Sequence, residues 1–251
     1  MRKRWFWFVI GLSAFALLTT SAAYAEKEYI NGIDANFPPF AYVDKSGKPS
    51  GFDVDSVDWI AKKMGFKVKH QPMDWDGIIP NLIAKKIDLI ASGMSITPER
   101  EQKVSFTTPY WEIKQVLVAK KDSGLTVEQV MKGGKNLGVQ RGTTESEWLK
   151  ERIGKDGINY QLRYYDSAPL AIEDVLIGRI DAAAMDDAPA QDAVQKKPVK
   201  ILGTFGMKDE KFGYAARKDD QELLKTLNEG LKQLMADPYW EELLKKYDLK
   251  K

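Results

Sequence analysis

The 251-residue chain contains no cysteine and one histidine. Without cysteine there are no disulfides, no thiolate metal sites and no thiol nucleophile. With His70 alone, zinc has too few ligands. His70 lies in an extended stretch between Lys69 and Gln71 and reads as a surface strand residue. G-x-S-x-G, H-E-x-x-H, G-x-x-x-x-G-K and G-x-G-x-x-G are all missing, and with them the signatures of common hydrolases, zinc proteases and nucleotide folds. An excess of one charge is lacking too, with 38 basic residues against 36 acidic. A nucleic-acid partner or a polybasic membrane patch is therefore not expected.

Only one long hydrophobic run is present, and it stands at the N-terminus. Arg2, Lys3 and Arg4 precede an apolar segment at 5–18, and Ala23-Tyr24-Ala25 follows as an A-x-A site. This is the grammar of a secretory signal peptide cleaved after Ala25. The segment is short for a membrane span, and a lipid anchor would need a cysteine. The exported protein is expected to start at Glu26, freely soluble, leaving 226 residues once the 25 of the leader are removed from 251. The leader carries three cations and no acid, so the balance becomes 35 basic against 36 acidic. That length accommodates one large domain or two modest lobes.

Strand-like and helix-like segments then alternate, the pattern of an α/β fold. Strands are expected at 29–34, 66–73, 89–91, 116–119, 137–140, 160–164 and 180–185, with further extended segments at 201–204 and 212–216. Helices are expected from Val54 to Met64, closed by Gly65, and at 126–131, 143–153, 169–177 and 188–195. A helix over 75–86 starts late because of Gly77 and Pro80, with Ile78, Ile79, Leu82 and Ile83 inward. Two C-terminal helices meet at Pro238, the first with Leu224, Leu227, Leu231 and Leu234 on one face and the second with Trp240, Leu243 and Leu244. Residues 82–94 (L-I-A-K-K-I-D-L-I-A-S-G-M) rhyme with 175–187 (V-L-I-G-R-I-D-A-A-A-M-D-D). If the rhyme is structural, each lobe holds one such unit and both strand ends open onto a shared crevice.

The residues available for chemistry suggest binding. Thr97 suits a helix N-cap and Pro98 the first helical position. Arg100 then falls in the first turn, where the helix dipole disfavours a cation unless an anion lies beside it; the alternative is neutralisation by Glu99 and Glu101 on a solvated surface. Gly142-Thr143-Thr144 opens another helix whose free N–H groups suit an anion, while Thr144 with Glu147 forms a capping-box pattern. Asp186 ends a strand, facing the crevice or capping the next helix. Phe37 and Trp75 stand near strand ends as aromatic walls or core residues. Asp53, Asp55 and Asp58 form a conceivable calcium cluster, but they open a helix, and capping is the expected role.

These residues fall in a familiar order. G-I-D-A-N-F-P-P-F at 32–40, G-F-D-V-D at 51–55, M-D-W-D-G-I-I-P at 73–80, S-G-M-S-I-T-P-E-R at 92–100, F-T-T-P-Y at 106–110, Q-R-G-T-T at 140–144 and G-R-I-D-A-A-A-M-D at 178–186 resemble the bacterial extracellular solute-binding proteins of family 3, periplasmic receptors for polar amino acids. The resemblance spans residues 28–248. It implies a two-lobed Venus-flytrap of type II with two crossover strands: one lobe from 26–112 with 209–251, the other from 113–208. It implies that Arg100 grips a ligand α-carboxylate, with the N–H of Ser95 and the helix start at Thr144. Asp186 then takes the α-ammonium with the Gly93 carbonyl and Ser95 hydroxyl, while Phe37 and Trp75 sandwich the side chain and Asp34 meets its tip. Met94, Gln140 and Thr143 complete the ligand-binding set.

Asp34 beside an aromatic sandwich suits a cationic tail, whereas M-D-W-D-G-I-I-P looks more like glutamine receptors, although Gln140 and Met185 depart from their pattern. The ligand expected is a basic or amide L-amino acid: arginine, lysine or glutamine. The implied partners are that free amino acid and an inner-membrane ABC permease, with a monomeric binding protein in the periplasm and no cofactor, catalysis or nucleic acid. Two rivals stand beside this reading. One is a prephenate or arogenate dehydratase on the same fold, set back by intact Arg100 and Asp186. The other is a receptor's sensor domain, which needs a downstream transmembrane segment.

Overall fold

The computed structural model describes residues 27–249; the leader and its cleavage after Ala25 lie outside the described residues. Two five-stranded sheets organise the chain. The first runs in the spatial order Lys67–Met73, Glu28–Asp34, Leu89–Ile90, Ala215–Arg217, Val104–Phe106. Its first three strands are parallel, and the last two alternate in direction. The second runs Tyr160–Tyr165, Lys135–Gln140, Ala182–Asp186, Gln115–Lys120, Val199–Thr204, with the same pattern of directions. Between them the chain crosses twice, on Trp111–Ile113 and Glu210–Phe212, which pair antiparallel. This is the expected two-lobed α/β architecture with two crossover strands.

The repeated sequence unit is a structural one. In the first sheet Ile30 N donates to Asp88 Oδ2 at 2.9 Å, and Asp88 N donates to Ile30 O at 2.8 Å. In the second, Asn136 N donates to Asp181 Oδ2 at 2.8 Å, and Asp181 N donates to Asn136 O at 2.9 Å. Each Ile-Asp therefore clamps the start of the neighbouring parallel strand and sets its register. That register decides which residues emerge at the far, carboxyl ends of the strands, where open α/β sheets hold ligands.

Packing follows the apolar pattern. The helices Gln221–Ala236 and Pro238–Lys246 cover the first sheet, burying Leu223, Leu227, Leu231, Leu234, Trp240 and Leu243. Leu223, rather than Leu224, starts the buried stripe, and Leu224 is half-buried. Asp220 caps the first of these helices and Asp237 the second, with Pro238 at the first turn. The helix expected over 75–86 is a single turn at Trp75–Gly77 followed by Ile78–Ile83. Its buried face is Ile78 and Leu82, while Ile83, on its last position, is 51 % exposed and not inward as expected.

The acids of the first long helix do not cap it. Gly51 holds the N-cap position of Phe52–Met64, with no side-chain cap. Asp55 Oδ2 accepts from Lys246 and Tyr247. Asp58 accepts from His70 Nε2 at 3.0 Å, and His70 Nδ1 lies 3.0 Å from Asn31 Nδ2. His70 is therefore tied down on both sides, its side chain 8 % exposed, and is not the surface residue its sequence context suggests. Asp53 turns fully into the core.

Candidate functional site

The strand Glu28–Asp34 delivers Asp34 to the crevice, and the strand Leu89–Ile90 runs on into Ser92, Gly93 and Ser95. From the other sheet, Lys135–Gln140 leads to Gln140, Gly142, Thr143 and Thr144, and Ala182–Asp186 ends on Asp186. Except for Gly142, these residues line one small cavity together with Phe37, Trp75, Arg100 and Glu145. Of the expected site residues only Met94 lies elsewhere. Its side chain is fully buried in the apolar cluster of Ile78, Leu82 and Ile90.

Arg100 is placed by a short helix. Thr97 caps Pro98–Glu101 by accepting from Arg100 N at 3.2 Å, and Pro98 fills the first position. The guanidinium donates to Ser95 O at 3.0 Å and to Gly142 O at 3.3 Å, and lies 5.5 Å from the centre of the Trp75 ring. Trp75 Nε1 donates to the same Gly142 carbonyl at 3.1 Å. Gly142 has φ +74°, and a Cβ there would stand 2.9 Å from Asp76 Cα, so only glycine lets this loop approach so closely. Gly93 is constrained likewise, with φ +61° and a Cβ position 2.3 Å from the Phe37 ring.

The helix Thr144–Arg152 is capped by Thr143, whose hydroxyl accepts from Ser146 N at 3.2 Å. This corrects the capping box expected from Thr144 and Glu147. One residue of register shifts the cap back and frees Thr144 to donate to Glu210 Oε2 at 2.8 Å. At the opposite wall, Asp34 Oδ2 accepts from Gln140 Nε2 at 2.7 Å and its Oδ1 from Asn36 N at 2.9 Å. Gln140 thus reaches from the second sheet to a carboxylate on the first, and its own Oε1 accepts from Ala168 N at 3.2 Å.

Asp186 is 8 % exposed, its Oδ1 accepting from Gln115 Nε2 at 3.0 Å. Gln115 Nε2 also contacts Glu210 Oε2 at 3.3 Å. Burial pushes the Asp186 carboxyl well above the usual range, and Glu145 and Glu210 push it further. Burial also raises Asp34, against the opposing bond from Gln140. For Arg100, burial pulls the guanidinium down while Glu210, Glu145 and Asp186 act to restore it.

Glu145, Glu210 and Gln115 escape a reading of the sequence. Glu145 looks like an ordinary first-turn acid, and Glu210 and Gln115 belong to segments whose function is to join the sheets. The one available signal is position: Gln115 and Glu210 each adjoin a crossing of the chain. Among the described residues no three histidine, aspartate or glutamate side chains are grouped to hold a metal.

Residues 29–250 match the family model of bacterial extracellular solute-binding proteins, family 3. The L-cystine-binding protein TcyJ of Escherichia coli (strain K12) is 32% identical over 219 residues, 86% of this chain and 80% of that one. The ABC transporter arginine-binding protein 1 of the same strain is 33% identical over 234 residues, 91% of this chain and 93% of that one. The solved structure of an ancestral arginine-binding protein bound to glutamine superposes with a TM-score of 0.80 at 36% identity, covering 89% of this chain and 99% of that one. With the match running through both sheets and both crossings, the chain belongs to the bacterial extracellular solute-binding proteins of family 3.

Proposed function

We propose that this protein captures a polar L-amino acid, basic or amide (arginine, lysine or glutamine), between its lobes and delivers it unchanged to an inner-membrane ABC permease. One observation carries the reading: Arg100 and Asp186, brought by different sheets, line the same small cavity. An α-amino acid has one carboxylate and one ammonium, and burying both requires an anion receptor and an acid at fixed separation. Arg100 with the start of the helix Thr144–Arg152 serves the first, and Asp186 with Ser95 and the Gly93 carbonyl the second. Asp34 and Gln140 then face the side-chain tip, between the Phe37 and Trp75 walls. An acid and an amide there suit a cationic or amide tail, in keeping with a relative named for arginine and an ancestral arginine-binding protein bound to glutamine.

The working form in this proposal is a monomer of residues 26–251 in the periplasm, its leader removed after Ala25. Its lobes comprise 26–112 with 209–251, and 113–208. No reaction on the ligand is involved. A thermal-shift screen of residues 26–251 against the common L-amino acids tests the reading, since a ligand that binds the native state raises the melting temperature by mass action. Arginine, lysine or glutamine should give the largest rise. Equal melting temperatures with all of them would refute it.

A further inference from the structure

Three carboxylates crowd the one guanidinium of the cavity. Facing Glu145 are Glu210 from the returning crossover strand, Asp186 from its strand end, and Arg100. Glu145 is only 4 % exposed. Were all three acids ionised, the buried Glu145 and Asp186 and the half-buried Glu210 would exceed Arg100 by two negative charges, an arrangement that desolvation penalises.

One hydroxyl stands between two of these carboxylates. Thr144 Oγ1 stands 2.8 Å from Glu210 Oε2 and 3.3 Å from Glu145 Oε2. A hydroxyl has one hydrogen to give. At 2.8 Å Glu210 is the better acceptor of that hydrogen, which leaves Glu145 Oε2, at 3.3 Å from the Thr144 oxygen, without a hydrogen bond unless Glu145 itself carries a proton. Burial pushes the Glu145 carboxyl up, with Glu210 adding to the effect, while its own backbone N–H, the Thr143 hydroxyl and Arg100 oppose it. Those opposing groups are the donors that a ligand carboxylate needs: the start of the helix Thr144–Arg152, and Arg100.

We propose that Glu145, joined to Glu210 through the Thr144 hydroxyl, is a proton-dependent specificity residue of the binding site. Protonated, it lets a ligand carboxylate settle beside Arg100; ionised, it occupies that receptor itself and repels the ligand. The inference rests on the amino-acid reading above and adds to it a built-in competitor at the carboxylate end. Affinity for a free amino acid then weakens with rising pH through the titration of Glu145. A ligand whose carboxylate is an amide escapes this penalty.

Two measurements test it. In the ligand-free protein, carbon-13 NMR of the side-chain carboxyls, assigned with Glu145→Gln and Glu210→Gln, should show Glu145 still protonated where exposed glutamates have ionised. Titration of Glu145 together with the exposed glutamates overturns the proposal. Calorimetry with L-arginine and L-argininamide compares wild type with Glu145→Gln across roughly pH 5.5 to 8.5. Because Glu145 helps to raise Asp186, Glu145→Gln also shifts the Asp186 titration; L-argininamide, which keeps the α-ammonium that Asp186 meets, reports that contribution separately. The ratio of the two affinities for L-arginine, taken relative to that for L-argininamide, should be near one at the acid end. At the alkaline end it should favour Glu145→Gln by about tenfold or more, one pKa unit being a factor of ten. A flat relative ratio, or weaker binding of L-arginine by Glu145→Gln throughout, overturns the proposal. If wild type binds L-arginine at no pH, that ligand is excluded from the proposed function, and the NMR titration alone decides the proton.

Discussion

Asp53→Asn removes one titrating group from directly beneath the cavity. Asp53 Oδ2 accepts from Gly93 N at 2.6 Å and from the Tyr110 hydroxyl at 2.8 Å, and Oδ1 has no partner. Both donors fall on one oxygen, so a proton or an amide nitrogen fits the other side, and asparagine mimics the neutral acid. Burial lifts the carboxyl from its ordinary 3.8 to about 7. In the unfolded chain the group ionises near the ordinary value, while the folded protein keeps its proton until near neutrality. The stability contributed by that proton is fully present at the acid end and is lost as pH rises through the folded value. A separation of roughly three pH units at about 1.36 kcal/mol each amounts to about 4 kcal/mol. Urea unfolding of wild type and Asp53→Asn between about pH 4 and 8.5 should therefore show wild type losing about 4 kcal/mol relative to the variant. Asp34, Glu145 and Asp186 titrate in both proteins and cancel in the difference. Parallel stability curves for the two proteins would refute a proton on Asp53.

Arg100→Ala should weaken binding of the identified amino acid by about 2–5 kcal/mol in calorimetry, because the buried carboxylate loses its counter-charge. Asp186→Asn should weaken amino acids comparably, but carboxylates lacking an ammonium much less, and equal losses for both ligand types would remove Asp186 from the ammonium subsite. Closure should appear in solution scattering as a smaller radius of gyration with saturating ligand, since a ligand held by both lobes shifts the population toward the closed form. Intact-mass analysis of the exported protein should give an N-terminus at Glu26, and retention of Met1 in the soluble fraction would contradict cleavage.

What was legible rests on local rules or on a motif that recurs. Thr97-Pro98 fixes a helix start through one cap and one missing N–H, and Ile-Asp recurs because the same strand clamp is built twice. The errors lie where tertiary contacts overrule local rules. Asp53 looks like a first-turn acid, yet the Gly93 N–H and Tyr110 hydroxyl draw it inward. His70 looks exposed, yet Asn31 and Asp58 meet its two nitrogens. Thr143 and Thr144 are equally good caps on sequence, and the pull of Glu210 on Thr144 separates them only in three dimensions. Glu145 and Glu210 are 65 residues apart, from 145 to 210, and no pattern along the chain shows that they meet at one hydroxyl.

In the proposed function, Arg100 and Asp186 hold the two charged ends of one amino acid across the crevice. A crystal structure of residues 26–251 with the amino acid giving the largest thermal shift tests it most directly. In that structure the α-carboxylate should lie within hydrogen-bond distance of the Arg100 guanidinium and the start of the helix Thr144–Arg152, and the α-ammonium on Asp186. A ligand seated outside the cavity, or with its carboxylate turned away from Arg100, would contradict it.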